Sequence, residues 1–167
     1  MKSFERPKTN PPLSTLDVVL EGLAAVGVFI MFAQLIRVWS SLPEEVPTHF
    51  GASGAPDDWG SKSTLLILPM VALVIYAGFT ILSRFPYIFN FPVKVTETNY
   101  LTQYRLAKTL LSFVKVTVIG LFLFIQIFTI RIAFGEAAGL GVLFLLLTLA
   151  ASFVPIVVYL VLASRAK

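Results

Sequence analysis

His49 is the chain's one histidine, and it stands shortly before Asp57 and Asp58 and shortly after Glu44 and Glu45. Imidazole and carboxylates are competent zinc ligands, so His49, Asp57 and Asp58 form a candidate metal set. The spacing does not complete that chemistry. No H-E-x-x-H or G-x-S-x-G occurs, the chain has no cysteine, and His49 with a nearby serine is too little for a nucleophile–base pair. No catalytic residue and no cofactor is therefore assigned. In the competing reading His49 hydrogen-bonds within its own loop, while Asp57 and Asp58 cap turns or meet Arg37 and Arg131. A lone imidazole could then make the loop pH-sensitive.

A second polar set lies inside apolar sequence: Asp17, Glu21, Lys108, Lys115 and Gln126. An ionised side chain at a helix centre in hydrocarbon costs roughly 2.5–3.5 kcal/mol on insertion scales, and less near an interface. Ser14-Thr15-Leu16-Asp17 reads as a helix start in which the carboxylate satisfies exposed amides. Glu21 lies one turn deeper on the same face. Arg105, Lys108, Ser112 and Lys115 recur at three- and four-residue steps, and Gln126 returns to nearly the same face. These spacings predict that Glu21 faces Lys115 between the first and third helices, with Asp17 and Lys108 below them. The alternative is that both lysines snorkel to the headgroups.

The elements that must position these residues are membrane-spanning helices. The chain is 57% hydrophobic and 13% charged, which is not a soluble composition. A span needs about 20 predominantly apolar residues, and four stretches qualify. The predicted fold is an all-α membrane protein, a four-transmembrane-helix bundle in one membrane domain. Its parts are a loose cytoplasmic tail (1–13), the first helix (16–40), an outer loop (41–62) and the second helix (63–84). A cytoplasmic connection (85–104), the third helix (105–134) and the fourth helix (139–164) follow. Pro69 predicts a bend in the second helix and Pro155 a kink in the fourth. Gly135-x-x-x-Gly139 matches a close-packing spacing, although at a helix end.

Charge gives the orientation. Lys2, Arg6, Lys8, Arg84, Lys94, Arg105, Lys108, Arg165 and Lys167 fall on one side of a four-pass chain. The positive-inside rule makes that side cytoplasmic, with both termini inside and the His49 loop outside. The net charge of +4 is thus a topology signal and implies no nucleic acid. The expected location is a bacterial plasma (inner) membrane, crossed several times. Phe85, Tyr87, Phe89, Phe91, Tyr100 and Tyr104 cluster at the cytoplasmic connection, as aromatic interface belts do.

The outer loop carries turn formers at Pro43, Pro47, Gly51, Gly54, Pro56 and Gly60, interleaved with Phe50 and Trp59. That density predicts an ordered cap folded on the helix ends, because a tether would not need the aromatics. Leu42-Pro43-x-x-Val46-Pro47-x-His49-Phe50, then Gly54-x-x-Asp57-x-Trp59-Gly60-Ser61-Lys62 and Pro69, resembles a bacterial membrane domain of unknown function. That domain recurs at the N-terminal end of SdpI-type proteins, and Tyr104-Arg105 leading into the third helix fits the same pattern. The resemblance implies immunity against a secreted killing peptide, or relay of its presence to a cytoplasmic repressor. It also implies a signature of Pro47, His49, Phe50, Gly54, Asp57, Trp59 and Lys62, to which Asp58 is added here as a loop-binding candidate.

The functional expectation is an integral membrane binding or signalling module. Its partners would be the lipid bilayer, an extracytoplasmic peptide, a cytoplasmic protein and, in an oligomer, further copies of itself. The alternatives are a small transporter or channel subunit, with Glu21, Gln34, Lys115 and Gln126 lining a path, and a structural subunit of a membrane complex.

Overall fold

The computed structural model describes residues 4–167. Of the basic residues used for the orientation, Lys2 lies outside the described residues. Four long helices carry the fold: α1 (Thr15–Val38), α2 (Ile67–Leu82), α3 (Tyr100–Ala133) and α4 (Val142–Arg165). A 3₁₀ turn over Lys62–Leu66 leads into α2 and lengthens it, and all four segments are long and apolar enough to cross a membrane.

The helix starts follow from local chemistry. The Ser14 side chain accepts from the Asp17 amide while the Asp17 carboxylate accepts from the Ser14 amide, a reciprocal cap. Pro69 falls in the first turn of α2, where its missing N–H leaves no helical bond unmade. The chain passes from 3₁₀ to α just before it. α3 begins at Tyr100, several residues earlier than its apolar run. α4 continues through Pro155.

α3 is the central helix, with α1, α2 and α4 all packed on it and α1 also against α2. Ala24, Val28, Met31, Ala72 and Ile119 make the mid-depth core. The Ile119 side chain packs directly on the Gly27 backbone there, since a Cβ on Gly27 would lie 2.8 Å from Ile119 Cγ2. Large apolar side chains such as Phe29, Ile36, Val74, Leu143 and Phe153 point outward. For helices of this length, lipid is the medium that accepts such a surface.

Between α1 and α2 the chain forms a two-stranded antiparallel hairpin, β1 (Glu45–Phe50) and β2 (Pro56–Ser61). The all-α expectation is therefore corrected at this loop. The sequence offers turn formers there but no clean strand pair, because the alternation is broken by Pro47 and by irregular register at Pro47/His49 and His49/Phe50. The N-terminal segment also differs from the loose tail expected. Arg6 donates to the Phe89 carbonyl at 2.8 Å, and Tyr104 donates to the Pro7 carbonyl at 3.2 Å. The segment is a strap across the end of α3.

Candidate functional site

The hairpin is an arch fixed at both ends. At its base Val46 is fully buried with Leu35, Leu42, Leu65 and Ile130. Lys62 donates to Glu44 at 2.9 Å and lies over the Trp39 ring, which closes the base. At its tip Gly54 takes a positive φ of 78°, a conformation open to glycine. Its carbonyl accepts from the Leu140 amide at 2.8 Å. Gly139 supplies the clearance, because a Cβ there would stand 2.5 Å from the Gly54 oxygen. Gly139 thus seats the hairpin tip on the α3–α4 link, whereas a Cβ at Gly135 would meet nothing within 4 Å.

Beneath the arch is a cavity of about 820 Å³. Pro47 to Gly54 line it from the hairpin, Ile67 and Leu68 from α2, Ile125 and Thr129 from α3, and Phe144 and Leu145 from α4. Its size falls within the roughly 300–1,000 Å³ of small-molecule sites. The walls are apolar apart from Thr48, His49, Ser53, Thr64 and Thr129.

The predicted loop residues divide over this arch. His49 Nδ1 and Asp57 Oδ1 pair at 2.5 Å across the strands, and Thr48 donates to Asp58 at 3.1 Å. Asp57 and Asp58 therefore find partners within the hairpin, whereas Arg131 lies 3.8 Å from Glu136. Among the described residues no group of three His, Asp or Glu side chains is placed to hold a metal, so His49, Asp57 and Asp58 are not assembled as a ligand set. The His49–Asp57 pair is well exposed, where ion pairs contribute little to stability. Pro47, His49, Phe50 and Gly54 line the cavity. Trp59, about half exposed, sits on β2 outside it, and Lys62 closes the base.

A separate polar cluster lies inside the helices, toward the strap. Lys115, 2% exposed, donates to Glu21 and, at 2.8 Å, to Thr80; Thr80 donates to the other Glu21 oxygen at 2.6 Å. The ammonium also lies 5.1 Å from the centre of the Tyr76 ring. The structure thus brings Glu21 and Lys115 together. Asp17 and Lys108 take other partners: Asp17 its own helix cap, Lys108 the Asn10 side chain at 2.7 Å and the Pro11 carbonyl at 2.5 Å. Gln126, fully buried, donates to the Met31 carbonyl at 2.8 Å. Sequence reasoning missed Thr80 and Tyr76, although a hydroxyl and a phenol within an apolar helix were the signal for them. Asn10 and the Leu140 amide gave none.

The geometry defines a class: a helical protein with four helices fit to cross a membrane and a β-hairpin arched over one end of the bundle. Within it, residues 26–73 match the model of a family described as a domain of unknown function (DUF1648). That span holds the second half of α1, the whole hairpin and the start of α2. An uncharacterized protein of Archaeoglobus fulgidus is 35% identical, over 48% of this chain and 49% of its own length. The chain thus spans about half the length of the curated relative it matches. No solved structure matches.

Proposed function

We propose that this is a membrane-embedded recognition module that takes up an extracytoplasmic ligand beneath its hairpin and passes the event along α3. One observation carries the reading: the arch is latched to the helices at base and tip, with a ligand-sized cavity between. A ligand under the arch would touch α2, α3 and α4 together, and α3 runs to the strap at the other end. The charge asymmetry supports a plasma-membrane location with the hairpin outside and both termini inside. The SdpI-type resemblance makes peptide immunity or sensing the first form to test, with a cytoplasmic protein as the downstream partner.

A conduction path is less well supported. The apolar layer of Ala24, Val28, Met31, Ala72 and Ile119 separates the Glu21–Lys115 cluster from Gln126 and Gln34. The recognition reading predicts that a photoreactive residue at Phe50, which lines the cavity, captures a ligand in intact cells. It also predicts that expression protects a peptide-sensitive host. Absence of both capture and protection would end it.

A further inference from the structure

We infer that the cavity under the arch takes a neutral, single-chain amphiphile drawn from the bilayer, its polar head beneath the hairpin and its chain between α2 and α4. The inference rests on the recognition reading but not on its peptide form. Three features of the cavity select this class.

The first is charge. None of the residues lining the cavity is Lys, Arg, Asp or Glu. Its one titratable group, His49, is already held by Asp57. Of the cations at this end of the bundle, Lys62 pairs with Glu44 and Arg131 lies 3.8 Å from Glu136, and neither they nor Arg37 line the cavity. A phosphate brought under the hairpin would lose hydration with no cation to replace it, and an ammonium would find no free carboxylate. A hydroxyl, ester or amide head carries no such penalty. It would meet the hydroxyls of Thr48, Ser53 and Thr129 within the same cavity. Thr129 is the most informative of these, being 3% exposed yet part of the cavity wall, with only the apolar Ile125 beside it from α3.

The second is shape. The hairpin crosses from the ends of α1 and α2 to the α3–α4 link, so the cavity is roofed. A membrane-spanning partner helix, about 10–12 Å across with its side chains, would run into that roof. A flexible chain entering from the side would not.

The third is the composition of the walls. Leu68, Ile125, Phe144 and Leu145 offer only apolar contact. In such a pocket chain burial supplies the affinity, and a few placed polar groups fix the orientation.

The test uses the full-length protein in nanodiscs with two diazirine-bearing probes of the same chain length, a monoacylglycerol and a lysophosphatidylglycerol. The expected result is labelling of Leu68, Ile125 or Phe144 by the neutral probe, about tenfold above the anionic one. Leu68→Trp should narrow the cavity and reduce that labelling. Thr129→Val, which keeps the volume and removes the hydroxyl, should weaken it while the melting temperature stays within a few degrees. Equal labelling by the anionic probe, or labelling confined to lipid-facing residues such as Phe29 and Ile36, would overturn the inference. Displacement of the neutral probe by an apolar peptide at lower concentration than by unlabelled monoacylglycerol would also overturn it. That last outcome would leave the recognition reading standing, whereas failure to protect a peptide-sensitive host would not touch the labelling result.

Discussion

The two ends of the helix bundle are held by different physics. At the tip of the hairpin the joints are backbone and small residues, the Gly54 carbonyl on the Leu140 amide and the clearance at Gly139, while its base holds Val46 in an apolar cluster beside the Lys62–Glu44 pair. At the strap end they are long cationic and aromatic side chains. Lys108 reaches Asn10 and Pro11, Arg6 lies over Phe91, and Tyr104 stacks on Phe91. The hairpin end keeps a cavity of about 820 Å³ whose walls carry no Lys, Arg, Asp or Glu, whereas the cavity at the strap end, about 400 Å³, is bounded by Lys94 and Lys167. The contrast shows where a ligand has room. It also shows which substitutions should matter, added bulk at the hairpin end and lost charge toward the strap.

The largest expected effect lies in the strap-side half. Lys115→Leu leaves the Glu21 carboxylate without its cation, and breaking a buried pair costs about 3–5 kcal/mol. Glu21→Leu should be at least as damaging, because Lys115 is the more deeply buried partner. Glu21→Leu/Lys115→Leu together should recover most of the loss. Unfolding of all three variants in mixed micelles checks this, and additive losses in the double variant would show that the two groups act independently. Next comes the hairpin end, where Gly139→Val forces bulk against the Gly54 backbone. A cost of about 1–3 kcal/mol is expected from such overpacking. It should appear as a freed hairpin, read by limited proteolysis between Phe50 and Pro56, with the helices intact. The smallest effect is at Trp59. Truncation of this exposed side chain should change stability by less than about 0.5 kcal/mol, and photocapture from Phe50 should persist, because Trp59 stands outside the cavity. A large stability loss there would make Trp59 part of the scaffold.

Much of the helical frame was legible, because four apolar runs of spanning length have few other solutions. The Glu21–Lys115 encounter could be anticipated from helical spacing and the cost of charge in hydrocarbon. The hairpin could not. Its strands are short, Pro47 and two register irregularities hide their alternation, and its stability comes from docking at residues far along the chain. Gly139 illustrates the limit. The four-residue glycine spacing signals close approach, but sequence points to another helix where the structure brings a strand turn. The strap was missed for a related reason. Asn10 and the Pro11 carbonyl acquire their role only because Lys108 is buried beneath them.

The central claim, that the arch is latched at its tip over the cavity, is tested most directly by hydrogen exchange at the Leu140 amide in the lipid-embedded protein. The account predicts that this amide is protected in the native chain and becomes exchangeable in Gly139→Val, with α3 and α4 unchanged. Exchange at the rate of a free peptide in the native chain would contradict it.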